Sequence, residues 1–277
     1  ENKRVGARNK IMEFDTKIHP TALIHPSSKL HPTVKVGAYS VVGENVEIGE
    51  GSEIGNFTTL TGNTVIGRSN KIYHYCSLGE VPQDKKFNNE KTFLKIGDGN
   101  TIREFCTFNT GTIGGSGVTE VGNNNWLMAY VHIAHDCIIG NDIVLANNSS
   151  LAGHVEIEDF TILGGFTLVH QFCKIGAYII TAVGTVIFKD VPPYIIAAGY
   201  NAKPNGINSE GLKRRDFSVE CISNIKKAYK IIYREGNTLD SAKELLEMLA
   251  KKSDKPGSNW VGLYIDFISK SDRGLIR

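Results

Sequence analysis

The residues best suited to chemistry are histidines. Four of the eight, His132, His135, His154 and His170, fall close together, and Asp136 adjoins His135. Several imidazoles on one face suit a general base with flanking hydrogen-bond donors, because histidine changes charge near neutral pH. Three imidazoles could also surround zinc, or the group could simply be solvated. His19, His25 and His31 differ: each opens a His-Pro step, the mark of a chain corner, and His74 has no partner in sequence. A second polar cluster, Gln83, Asp84, Lys85 and Lys86, stands apart from the histidines.

What must position these residues is a repeat. Stepping by six from Ile18 gives Ile24, Leu30, Val36, Val42, Ile48, Ile54, Leu60, Ile66, Ile72 and Leu78. The phase resumes at Ile96, Ile102 and Phe108, restarts at Val121, and runs to Ile187 with Thr181 the only polar member. A period of six cannot make an amphipathic helix, but it suits short strands joined by tight turns. Three hexads close one triangular coil, and stacked coils share an aliphatic core. The fold expected for 16–190 is therefore mainly β, a parallel β-helix. The pattern resembles the hexapeptide-repeat family, and the resemblance implies a left-handed helix.

With three hexads to a coil, His135, Gly153 and Gln171 form one column, with His154 and His170 beside it. Carbonic anhydrases of the hexapeptide-repeat family place zinc on ligands that include an HxxxxH pair. Here the local pair is His132-x-x-His135, and no metal is expected. Cys76, Cys106, Cys137 and Cys173 each fall four residues after a hexad aliphatic, the small inward slot. They are expected to be inert core fillers. Residues 79–95 and 109–120 break the period and must loop out, and insertions in a solenoid commonly serve binding.

Composition excludes other classes. Hydrophobic content of 41% and charged content of 22% belong to a globular chain. No apolar run approaches the roughly 18 residues of a membrane span. A net charge of +2 argues against a nucleic-acid-coating protein. The charge is uneven, since residues 191–277 carry 15 Lys+Arg against 10 Asp+Glu, a basic end that could meet an acidic partner. Five cysteines without a CxxC suggest neither a disulfide framework nor a zinc ribbon, and fit a reducing, cytoplasmic location. Residues 1–15 lack the apolar core of a secretory signal and are expected to be a disordered or cloning-derived extension.

The hexads stop near Asp190, where Val191-Pro192-Pro193 interrupts the strands. Residues 191–277 are expected to form a helical region: a short helix at 207–215, one capped by Ser218, one capped by Thr238, and one around 260–269. Such a region would cover the open end of the prism.

The segments HIAHDC (132–137), LANNSSLAGHVEIEDF (145–160), VHQFCKIGA (169–177), KDVPPY (189–194) and NSEGLKRRDFS (208–218), with the ending RGLIR, are similar to those of the UDP-N-acetylglucosamine acyltransferase family. The resemblance covers roughly 16–277. It implies transfer of an R-3-hydroxyacyl chain from acyl carrier protein to the glucosamine 3-hydroxyl of UDP-N-acetylglucosamine, the first step of lipid A biosynthesis. It also implies a homotrimer with active sites in clefts between prisms, no cofactor, and no stable membrane insertion. His135 then matches the general base, Asp136 its assistant, and Gly153 the residue whose N–H faces the oxyanion. Asp84 and Lys86 match sugar contacts, and His132, His154, His170 and Gln171 line the cleft. Asn208, Glu210, Arg214 and Arg215 match the nucleotide and diphosphate end. Asn109 stands with Thr110 where many members carry His-Arg, and is kept as an uncharged substrate donor. Val183 matches the hydrocarbon ruler; counting three hexads from Gly165 gives Val183 and then Asn201, a column expected to flank the acyl groove. The alternative is a related hexapeptide acyltransferase using a 3-amino UDP-sugar or an acyl-CoA donor. A structural or ice-binding β-helix would show regular threonine columns without clustered histidines, and fits poorly.

Overall fold

The computed structural model describes residues 17–253 and 259–277. The extension expected at 1–15 lies outside them. Each hexad becomes a short strand, its outward residue followed by an inward one, as in Lys35–Val36 and Val41–Val42. Stacked three hexads apart, these strands build three flat sheets. The first has nine strands, from Leu23–Ile24 to Val186–Ile187, and the second has eight, from Lys29–Leu30 to Lys174–Ile175. The third has ten, from Lys35–Val36 up to Ile195–Ala198 and Lys203–Ile207. Pairing is parallel except between those last two strands.

The inward aliphatic rows are the core: Leu60, Leu78, Ile102, Ile133, Leu145 and Leu163 are wholly buried. Each such side chain stabilises the fold by about 1.5–3 kcal/mol. Thr181, the polar exception, is buried too, bonded to Thr167 Oγ1 at 2.7 Å and to the Gly164 N–H at 2.8 Å. Cys76, Cys106, Cys137 and Cys173 occupy the buried small slots as free thiols. His19, His25 and His31 bond Thr21, Ser27 and Thr33 within their own corners, as the His-Pro steps predict.

Pairing reaches further into the interruptions than the hexads indicate. Phe93–Ile96 lies between Asn63–Ile66 and Val118–Val121, so the excursions shrink from 79–95 and 109–120 to 81–92 and 110–117. Leu94 and Thr119 take inward places two residues before Ile96 and Val121. That is ordinary strand alternation, which counting by six passes over.

The prism also continues past Asp190. Residues 191–207, expected to belong to the helical region, supply its last coil. That coil has short corners: Ile175 faces Val191, Thr181 faces Ala197, and Val186 faces Tyr200, steps of 16, 16 and 14. Asn201 therefore follows Tyr200 opposite the end of the first sheet, and the expected column from Gly165 ends at Val183. Beyond it lie α1 (Ser209–Lys213), α2 (Val219–Tyr233), α3 (Leu239–Ser253) and α4 (Gly262–Lys270). Ser218 and Thr238 accept the capping bonds expected of them. Buried Asp190 ties this region to the prism, accepting from the Lys174 N–H, Ser271 Oγ and the Arg273 N–H.

Candidate active site

The prism has three corners. His135 and Asp136 lie at the corner joining the first sheet to the second, directly below Gly153 and His154, with Gln171 and Phe172 one coil further on. Asp136, His154 and Phe172 each take a left-handed backbone, φ 59°, 62° and 66°. A β-carbon makes that conformation costly outside glycine, by roughly 1–2 kcal/mol. Ring contacts offset it at His154 and Phe172: His154 stacks on Phe172 at 4.4 Å and meets His135 edge-on at 5.0 Å.

The Asp136 carboxylate is only 1% exposed, and His135 Nδ1 lies 2.9 Å from its Oδ2. Thr112 approaches through its hydroxyl at 2.6 Å and its N–H at 3.1 Å, and the Gly117 N–H at 3.1 Å. Burial alone would push this carboxyl up. The bonds from Thr112 and His135 outweigh it and hold the group below the usual carboxylate range. An ionised carboxylate only accepts, so His135 Nδ1 is the donor, and in the neutral imidazole the lone pair lies on Nε2. That tautomer can take a proton from a substrate. His154 is half-buried; burial lowers its pKa against the opposing pull of Asp136. His135, Asp136 and His154 bring ligand atoms within 4.8 Å of one another. With both Asp136 oxygens engaged by donors, the arrangement fits an orienting carboxylate better than a metal ligand.

Gly153 is buried against the His135 ring. A Cβ there would stand 2.5 Å from Cε1 and 2.6 Å from Nε2. Among the described residues its N–H donates to no other group. Gly153→Ala is expected to lower kcat by on the order of 10² or more, since it displaces the imidazole beside a candidate oxyanion donor. A melting temperature close to the parent's, measured alongside kcat, would separate this from unfolding.

Other candidates gather round this corner. His132 Nδ1 bonds Thr107 Oγ1 at 2.8 Å, and burial depresses its pKa. Asp84, in the excursion 81–92, is close enough to act electrostatically on His154. Its carboxylate accepts the Lys86 N–H, and Lys86 itself is exposed. His170 and Gln171 are exposed. His132 and His170 also border an apolar hollow of about 510 Å³ on the outer face of the first sheet, walled by Leu168, Val186, Phe188 and Tyr200.

Two expected groups lie elsewhere. Arg215 sits over Phe160 at 4.4 Å and Asn208 donates to the Tyr178 carbonyl, which places 208–215 at the corner between the second and third sheets. Val183, 76% exposed, lies at the corner between the third and first. Arg214 and Glu210 are exposed, Glu210 paired with Lys213 at 2.7 Å. One protomer does not unite these groups with His135. One candidate is corrected. Asn109 is 4% exposed and holds the base of the first excursion, donating to the Val81 carbonyl at 2.9 Å, so it faces no substrate. Asn208, half-buried, caps α1 through the Gly211 N–H and donates to the Tyr178 carbonyl, which leaves a second N–H and a second lone pair on its amide.

The sequence did not single out Thr112 or the walls Phe188 and Tyr200. Thr112 lies inside an excursion, where no period relates it to Asp136. Leu168 carried a readable signal: a large apolar residue at an outward strand position.

The bacterial transferase hexapeptide profile matches residues 27–62 and 119–153, and the profile of Udp N-acetylglucosamine O-acyltransferase, domain 2, matches 190–276. The chain is 56% identical over 208 residues to the acyl-[acyl-carrier-protein]–UDP-N-acetylglucosamine O-acyltransferase of Thiobacillus denitrificans, covering 75% of this chain and 79% of that one. It belongs to that acyltransferase family. Solved acyltransferases of this family superpose along almost the whole fold. The UDP-N-acetylglucosamine O-acyltransferase of Moraxella catarrhalis gives a TM-score of 0.91 at 42% identity, covering 95% of this chain and 100% of that one. The Arabidopsis UDP-N-acetylglucosamine acyltransferase gives 0.78 at 32%, covering 94% and 100%. The fold is thus the left-handed parallel β-helix of the acyltransferase family, with a helical C-terminal cap. No helix among the described residues is long and apolar enough to cross a membrane.

Proposed function

We propose that this chain is a cytoplasmic acyltransferase that moves an R-3-hydroxyacyl group from acyl carrier protein to the 3-hydroxyl of UDP-N-acetylglucosamine, the first step of lipid A biosynthesis. The observation that carries this reading is the His135 imidazole, fixed at Nδ1 by buried Asp136 and open at Nε2 beside the Gly153 backbone. His135 Nε2 takes the proton of the sugar hydroxyl as its oxygen attacks the thioester carbonyl. The carbonyl oxygen becomes an oxyanion facing the Gly153 N–H, a fixed dipole that costs no reorganisation. The tetrahedral intermediate collapses with breakage of the C–S bond. The imidazolium returns its proton to the leaving thiolate, giving the ester and the free carrier-protein thiol.

Asp84 and Lys86 serve the sugar, His132, His154, His170 and Gln171 line the cleft, and Arg214 and Arg215 meet the diphosphate, where guanidinium forks match phosphate oxygens. Because 208–215 and His135 occupy different corners, a complete site needs two neighbouring chains, and a closed homotrimer supplies three such clefts. The apolar hollow on the first sheet, between the His135 and Val183 corners, suits the acyl tail.

The test is incubation with UDP-N-acetylglucosamine and a panel of 3-hydroxyacyl carrier proteins, with mass detection of the acylated sugar. Parallel arms carry acyl-CoA and a 3-amino UDP-sugar. Product only from acyl-CoA, or only as the amide, would overturn the reading.

A further inference from the structure

We infer that the excursion 110–117 is a clamp for the Asp136 carboxylate, and that Thr112 is a positioning residue for acyl transfer, acting on His135 through Asp136. This inference rests on the reading of His135 as the base.

The excursion leaves the prism after Asn109 and folds back on itself, with the Gly115 and Gly117 N–H groups both donating to the Thr112 carbonyl at 3.1 and 3.0 Å. That turn aims a set of donors at one carboxylate. The Thr112 N–H reaches both oxygens at 3.1 Å, its hydroxyl reaches Oδ2 at 2.6 Å, and the Gly117 N–H, shared with the Thr112 carbonyl, reaches Oδ1 at 3.1 Å. A carboxylate taken almost wholly out of water needs such partners to stay charged. The bonds also fix its rotation, so that Oδ2 meets His135 Nδ1.

The hydroxyls of the loop are not equivalent. Ser116 Oγ lies 3.2 Å from Oδ1 but 2.8 Å from the Val118 carbonyl, and its single proton has the better acceptor there. Thr112 Oγ1 has Asp136 as its acceptor. Thr112 is itself only 8% exposed, so it reaches the reaction through the carboxylate and not through substrate. The paired glycines give an internal control. A Cβ on Gly115 would stand 2.5 Å from Asp136 Cγ, whereas one on Gly114 meets nothing within 4 Å.

The experiment measures kcat, KM for UDP-N-acetylglucosamine and melting temperature for Thr112→Val, Thr112→Ser, Gly114→Ala, Gly115→Ala and His135→Ala. Thr112→Val keeps the shape and removes one bond to a charged group, so kcat is expected to fall about ten- to a hundredfold with KM nearly unchanged. Thr112→Ser should recover most of that loss. Gly115→Ala should lose kcat while Gly114→Ala does not. Parental kcat in Thr112→Val, beside an inactive His135→Ala, overturns the clamp and leaves the base reading intact. An active His135→Ala overturns the base reading instead. If Thr112→Val does not fold, the glycine pair decides: equal kcat in the two variants overturns the clamp.

Discussion

His135→Ala is expected to lower kcat by on the order of 10² to 10⁴ while the chain still folds and assembles. The side chain points out of a corner and is 16% exposed, so removing it opens no cavity in the prism. The inward neighbours that carry stability, Ile133 and Cys137, are wholly buried and untouched by the change. What is lost is the acceptor for the sugar proton, along with the imidazolium that would protonate the leaving thiolate. Asp136 cannot substitute, because its oxygens are held by Thr112 and Gly117 beneath the surface. Turnover with a 3-hydroxyacyl carrier protein, read beside the melting temperature and the oligomeric state, checks this. Near-normal kcat would remove His135 from the mechanism.

The second large effect concerns acyl length. Val183 stands at the third corner, in register with Gly165, across the first sheet and its apolar hollow from His135. A chain lying over Leu168 and Val186 would end near that corner. If Val183 closes the groove, one or two methyl groups decide which tail fits. A methylene misfit is worth about 1–3 kcal/mol, or roughly 10–200-fold in discrimination. Val183→Gly is therefore expected to move the optimum to longer acyl chains. Gly184 follows, already in a left-handed backbone. A second glycine beside it should also cost roughly 0.4–1 kcal/mol of stability through the unfolded chain. Competition among carrier-protein thioesters of graded length, on parent and variant, reads the shift. The same optimum in both would exclude Val183 as the ruler and turn attention to Phe188 and Tyr200, which wall the hollow.

The core was legible in the sequence because every coil repeats the same inward row, so a count of six finds Leu60, Ile102 and Leu163 alike. The column His135–Gly153 was legible for the same reason, since both lie where three hexads still make a coil. Asn201 was misplaced because the interval is a property of corner length, and the last coil shortens its corners where hexads no longer mark them. Thr112 was invisible for a different reason. A side chain that reaches a carboxylate from an irregular loop leaves no periodic trace, and no count of residues relates the turn at 112–117 to Asp136. Asn109 carried the opposite lesson: similarity drew it toward substrate, while its burial gives it to the base of the neighbouring excursion.

The placement of the His135, Arg214–Arg215 and Val183 groups at separate corners has a genetic consequence under the proposed assembly. A chain defective at His135 and a chain defective at Arg214 and Arg215 would each be silent alone. In any closed ring that mixes them, one cleft pairs the sound histidine of one chain with the sound arginines of the other. The two lesions would thus complement when co-expressed. A single chain bearing both lesions would instead spoil two clefts of every ring it joins, and would act as a dominant allele.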